Sequence, residues 1–189
     1  MQRQIIDDPV LRQRFAFTTS HDPDGAEVLH VETWVGPGGG VTPHVHPAME
    51  ERFEVLEGRP SFLAGRRWAT VAAGGTAVVP PGTRHAYRND SDAPVHMVCH
   101  VRPPSTLQAF LEDAAALGRA GLTTRRALPR SPRALMIAAV LADANRDMVV
   151  LGFPPLPPRA VQRVVLGPLA RLGRRRGYRP GELARRLGV

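Results

Sequence analysis

The chain has 189 residues, enough for one good core with a small appendage. Its 43% hydrophobic content fits a globular protein, and its one cysteine excludes an intramolecular disulfide. The formal charge is +8 and every basic residue is arginine; residues 1–101 hold nine arginines against twelve acidic residues, whereas 102–189 hold sixteen against five. The basicity therefore belongs to the second half, and electrostatics alone does not make the first half a nucleic-acid binder.

The opening "MQRQIIDDPVLRQRF" shows no apolar signal-peptide region. The longest apolar run, "ALMIAAVLA" at 134–142, falls far short of the ~20 residues of a spanning helix. With a lone Cys99, a cytoplasmic protein without a transmembrane segment is expected.

From there to about residue 103 the pattern is β. "LRQRFAFTTS", the turn "HDPDG" and "AEVLHVETWV" read as a hairpin. "GPGGG" at 36–40 is a tight loop. "VTPHVHP" and "ERFEVLEG" are the next strands, and "RPSFLAGRRWATVAAGG" is a hairpin turning around "AGRR". "TAVVPPGTRHAYRND" holds a strand, a Pro-Gly turn and a strand start, and "APVHMVCHV" alternates cleanly. Short strands punctuated by Gly and Pro predict a barrel or sandwich. After Pro104 the pattern is helical. Ser105 is placed to cap "TLQAFLEDAAAL", and Ser131 with Pro132 to start "PRALMIAAVLADAN". "GFPPLPP" at 152–158 is a break, and "RAVQRVVLGPLARLGRRRGY" a helix kinked at Gly167-Pro168. "GELARRLG" is a last short helix.

His44 and His46 stand two apart on a strand, so their side chains project from one face. Such a pair can ligate an ion or simply face solvent. A carboxylate from the next strand would complete a two-His, one-carboxylate set suited to Fe(II), Mn, Ni, Cu or Zn. Pro80-Pro81-Gly82 then makes a sharp turn, and His85 follows at a strand start, where it could swing back as a third imidazole.

Two spacings carry a family resemblance. Gly38, His44, His46, Glu51 and Gly58 fill the pattern G, five residues, HxH, four residues, E, six residues, G. Gly74, Pro80, Gly82, His85 and Asn89 fill G, five residues, PxG, two residues, H, three residues, N, with 15 residues between the two patterns. The sequence resembles the cupin superfamily strongly over 36–90 and plausibly over 10–103. The resemblance implies a mainly β fold, a double-stranded β-helix (jelly-roll barrel) over 1–103; it says nothing about 104–189, where the helical pattern predicts an α-helical, Arg-rich extension. It also implies one divalent transition metal (Fe, Mn, Ni, Zn or Cu, with Fe, Mn or Zn foremost) on His44, His46, Glu51 and His85. Glu51 is preferred to Glu50 by the spacing to Gly58, and by sharing a face with Phe53 and Val55. A homodimer is expected.

Similar cupins include dioxygenases, isomerases, epimerases, cyclases and decarboxylases, and others only bind ligands. The resemblance therefore implies a small-molecule substrate, with a dioxygenase-type oxidoreductase first and an isomerase or cyclase second. The other reading is a ligand-binding or sensory module whose basic extension contacts a partner or nucleic acid. Acid–base candidates are His96, His100 and Tyr87. Tyr87 shares the parity of His85. His96, Val98 and His100 alternate with Met97, Cys99 and Val101. If the histidine face is inward these imidazoles flank the metal; if the apolar set packs the core they lie outside. His30, Glu32 and Trp34 share one face and could line the cavity. Asn89 and Gly82 read as turn residues, and Cys99 as an inert core thiol. The arginines of "ARLGRRRGYR" at 170–179 could meet phosphate, acidic lipid or acidic protein, and a basic amphipathic helix could lie on a membrane surface. The plainest reading is a solvated arginine face, with nucleic acid an unlikely partner.

Overall fold

The computed structural model describes residues 4–124, 127–145, 149–150 and 159–189. The proline-rich break at 152–158 lies outside them. The chain forms two compact units. One comprises Met1–Asp7, Leu11–Ser105 and Asp147–Gly152, and the other Asp8–Val10, Thr106–Arg146 and Phe153–Val189.

In the first unit the strands are β1 (Ile6–Asp8), β2 (Gln13–His21), β3 (Glu27–Val35), β4 (Gly40–Val45), β5 (Glu50–Glu57), β6 (Ser61–Ala64), β7 (Arg67–Thr70), β8 (Thr76–Val79), β9 (Arg84–Arg88), β10 (Val95–Arg102) and β11 (Val149–Val150). They form a six-stranded sheet, β1-β2-β3-β10-β5-β8, and a five-stranded sheet, β11-β4-β9-β6-β7. The predicted hairpins are present: Gln13–His21 pairs antiparallel with Glu27–Val35, and Ser61–Ala64 with Arg67–Thr70. β10 lies between β3 and β5, with Val101 opposite Glu51 and Cys99 opposite Phe53. That register places Val95, Met97, Cys99 and Val101 on the buried side with Phe53 and Val55. Cys99 is the buried thiol of this core, and burial raises its pKa well above the ordinary value. The short β11 has no counterpart in the sequence pattern, because two residues have no period to read. It pairs with β4 at His44 and Val45.

Two turn residues secure the strands that carry the motifs. Gly40 has φ 147°, and a Cβ there would stand 2.3 Å from the Tyr87 carbonyl oxygen, so β4 approaches β9 as only glycine permits. Asn89, fully buried at the end of β9, donates to the carbonyls of Val35 (3.0 Å) and Ala93 (2.8 Å). Its Oδ1 accepts from the Ser91 amide (3.0 Å) and hydroxyl (2.7 Å).

The second unit holds α1 (Leu107–Arg119), α2 (Pro132–Ala144), α3 (Arg159–Arg175) and α4 (Leu183–Leu187). Ser131 caps α2 as its position predicts, its hydroxyl accepting from Ala134 N–H at 3.1 Å, with Pro132 in the first turn. Ser105 does not cap α1. It sits at φ 46°, and Thr106 precedes the helix without a side-chain cap. α3 runs through Pro168 as one helix. Its Leu166, Leu169 and Ala170 pack on the core made by Met136, Ile137 and Val140 of α2. A Cβ at Gly173 would meet Val140 Cγ2 at 2.5 Å, so the helices touch through that glycine.

The start of α4 is capped from a distance. Buried Asp113 of α1 accepts from the Gly181 N–H (2.6 Å) and the Leu183 N–H (3.0 Å). Burial raises the carboxyl's pKa, and these two bonds oppose the rise. Asp113→Ala leaves two donors without an acceptor and is expected to cost this unit about 2–3 kcal/mol. Hydrogen exchange of the amides at 181–183 should accelerate strongly; unchanged protection there would show that the cap contributes nothing.

Candidate metal centre

The site grows from strand parity. His44 is the penultimate residue of β4, and its Cα partner across the sheet is His85 of β9. His46 follows two residues on and points the same way. Glu51 arrives from β5 in the other sheet, inward like Phe53 and Val55, whereas Glu50 and Arg52 are exposed. The Pro80-Pro81-Gly82 turn joins the two halves, for the Gly82 N–H donates to the His46 carbonyl at 2.8 Å. Gly82 takes φ 76° to do so.

One ligand atom from each of His44, His46, Glu51 and His85 lies within 4.8 Å of all the others, and all four residues are buried. The ring centroids of His44 and His85 are 4.0 Å apart, and those of His44 and His46 are 4.9 Å apart. Two of the rings are held by their far nitrogens. His44 Nδ1 lies 2.9 Å from the Thr42 carbonyl and His85 Nδ1 2.9 Å from the Thr83 carbonyl. A carbonyl only accepts, so each Nδ1 carries the proton and each Nε2 of a neutral ring is left with its lone pair turned into the cluster. These orienting carbonyls are invisible in the sequence, because any residue two before a histidine supplies one.

The contacts within the cluster are close but not mutually satisfying. His85 Nε2 stands 2.8 Å from Glu51 Oε2, and His46 Nε2 stands 3.5 Å from Glu51 Oε1. Yet Glu51 Oε2 and His85 Nε2 are buried without an aligned hydrogen bond. Polar atoms crowded this closely, two of them without an aligned hydrogen bond, fit a common cation between them. A cluster of three imidazoles and a carboxylate so arranged could hold a metal ion.

The electrostatics agree. Burial lowers the pKa of His44 to about 4, helped by the neighbouring His85. Burial alone would raise the Glu51 pKa, but His85, His46 and His44 outweigh it and hold the carboxyl below its ordinary value. Burial also opposes a proton on His85, but the Glu51 carboxylate wins and raises its pKa above the ordinary value. In the metal-free cluster His44 is therefore neutral and Glu51 ionised near neutral pH, and His85 holds a proton more readily than a free imidazole. A cation must displace a proton held by His85, so binding of zinc at pH 6.5 is expected to release protons from His85 and almost none from His44. Affinity then rises with pH until His85 has lost its proton. Calorimetry in buffers of different ionisation enthalpy measures the release; none at pH 6.5 would contradict the Glu51–His85 contact.

A family model described as a cupin domain matches residues 32–101, which contain all four members of the cluster. Residues 32–101 are a cupin domain.

Among solved structures, the chain is similar to an RmlC-like cupin from Shewanella frigidimarina, at 19% identity over 54% of this chain and 85% of that one, with a TM-score of 0.47. It is similar to KdgF from Halomonas sp. at 17% identity over 55% and 86%, with a TM-score of 0.45. It is also similar to an oxalate decarboxylase from Lactobacillus farciminis at 18% identity, over 54% of this chain and 31% of that one, with a TM-score of 0.44. No curated protein matches the chain.

The remaining candidates of the cupin domain fall in two places. Tyr87 is buried two residues from His85 on the same face, beside Phe53 and Phe62, with ring centroids 5.8 Å and 6.3 Å away. Its hydroxyl donates to Gln13 Oε1 at 2.7 Å. His96 and His100 are not at the cluster. They occupy the opposite face of β10, because the apolar set takes the core side. There His96 lies 2.9 Å from Glu32 and stacks on Trp34, and His100 Nδ1 lies 2.8 Å from His30 Nδ1. His30, Glu32 and Trp34 therefore belong to that outer face too, not to a cavity wall. Gln13 was not legible as an interior polar group; nothing in "LRQRF" marks its amide as the partner of Tyr87.

Proposed function

We propose that His44, His46, Glu51 and His85 hold one divalent transition metal, and that the cupin domain is a metal-dependent enzyme acting on a small organic substrate. The observation that carries this reading is the convergence of three imidazoles and one carboxylate, all buried, two of the rings braced at Nδ1. When bound, such an ion supplies Lewis acidity and, as iron, redox chemistry with O₂. The chain's own residues prepare the site. Thr42 and Thr83 fix the ring orientations, burial keeps His44 neutral, and the imidazoles keep Glu51 ionised. Phe53, Phe62 and Tyr87 form an aromatic group that keeps water from that side of the barrel interior.

A dioxygenase-type oxidoreductase is preferred to an isomerase or cyclase. The latter need a positioned proton carrier, and two of the three acid–base candidates, His96 and His100, lie on the outer face. Elemental analysis of protein purified without added metal tests the reading. Iron together with substrate-dependent O₂ uptake supports it. Zinc or nickel favours the isomerase or cyclase. Protein that neither carries a metal nor is stabilised by one sinks the site.

A further inference from the structure

α3 presents a face that its own unit does not use. At 100° per residue, Leu166, Leu169, Ala170 and Gly173 share the side turned to α2. On the opposite side Val164, Pro168 and Leu172 follow one another at i, i+4 and i+8, so they form a line along the helix. Val164 is 76% exposed and Leu172 41%, and Pro168 is exposed as well. Arg171 and Arg175 lie within the same arc as the apolar line, and Arg176 and Arg179 follow just beyond the end of the helix; all four are exposed.

The charge here is one-sided. Residues 159–189 contain nine arginines and one acidic residue. Arg174 pairs with Asp143, Arg185 with Glu182, and Arg186 lies over Tyr178. Among the described residues the side chains of Arg171, Arg175, Arg176 and Arg179 have no ion pair and no hydrogen bond. Macrodipole compensation accounts for a basic last turn of α3, but not for an exposed apolar line between the arginines. A nucleic acid would use the arginines and leave Val164, Pro168 and Leu172 in water. An anionic lipid surface uses both, the phosphates meeting guanidinium groups and the apolar side chains entering the headgroup–acyl boundary.

We propose that the outer face of α3 docks on an anionic lipid surface, through Val164, Pro168 and Leu172 flanked by Arg171, Arg175, Arg176 and Arg179. Attachment is peripheral: among the described residues no helix is long and apolar enough to cross a membrane. The proposal is independent of the metal site.

The test is co-sedimentation of the full chain with phosphatidylcholine vesicles, with and without about a third phosphatidylglycerol, at about 0.1 M salt. Capture by the anionic vesicles alone, weakened by salt, is expected. Arg171→Glu with Arg175→Glu should lower the partition coefficient about 30-fold or more, from ~1 kcal/mol per arginine at an anionic surface. Val164→Ser with Leu172→Ser should also lower it, at constant charge. All four residues are exposed, so metal content should not change, and the melting temperature should fall only slightly, by the lost macrodipole compensation in the glutamate variant. No capture of the unaltered protein overturns the proposal. So does capture that the serine variant leaves intact, and so does binding to duplex DNA in place of vesicles.

Discussion

His46→Ala is expected to leave the barrel folded and empty of metal. The imidazole is buried and faces both Glu51, at 3.5 Å, and the ring of His85, whose centroid is 5.2 Å away. Its loss reduces the proposed four-ligand set to three, one of them a carboxylate held by the other sheet. A tightly bound ion stabilises the folded chain by about 2.7 kcal/mol when its free concentration is a hundred times its dissociation constant. The unaltered protein should therefore melt lower after chelation, and His46→Ala should melt at one temperature with or without chelator. Glu51→Gln separates ligation from packing. It keeps the volume but removes the charge, so metal loss there with an intact fold assigns the effect to coordination. Full metal retention in His46→Ala would mean that the ion sits elsewhere. Alanine at both His96 and His100 is the matched control, because those rings lie on the other side of β10 and metal content should not change.

The second large effect is expected at a residue that touches no ligand. Asn89→Ala removes four hydrogen bonds, two donated to the Val35 and Ala93 carbonyls and two accepted from Ser91. The side chain is buried, so the abandoned groups gain no water in exchange. A loss of about 2–4 kcal/mol follows, measurable by denaturant unfolding of the chelated protein so that metal does not enter the comparison. Backbone bonds at the same point connect this to the site: Asn89 N donates to Gly39 O and Gly38 N donates to Asn89 O, each at 2.9 Å. Those glycines lead into β4 and His44. Metal affinity should therefore fall with stability, whereas a change under about 1 kcal/mol would mean that the 36–40 loop holds without the amide.

Asn89 also shows how far a spacing can be read. Its place at the end of the second motif marked it as a turn residue, which its contacts support. That it reaches back to β3 was not legible, because Val35 and Asn89 are 54 positions apart. The choice between Glu50 and Glu51 was legible for a different reason. A strand has a period of two, and one buried neighbour, Phe53, settles the parity of the whole run. The same rule separated His96 and His100 from Met97, Cys99 and Val101. It left the side open, because that depends on β10 lying between β3 and β5, where its apolar set joins Val31, Val35, Phe53 and Val55 in the core.

Helix signals divide the same way. Ser131 and Pro132 act on the next turn of their own helix, so a local reading sufficed. Ser105 does not cap. α4 owes its first turn to Asp113, which is 68 residues from Gly181. The sequence by itself thus determined the alternation of the barrel strands, the two glycine-punctuated motifs and the residue types that converge, because these follow from neighbouring residues and the period of the pleat. Only the tertiary structure decided which face of each strand turns inward, how the Thr42 and Thr83 carbonyls orient the rings, and which arginines of α3 stay unpaired. Those depend on contacts between segments far apart in the chain, and local periodicity carries no record of them.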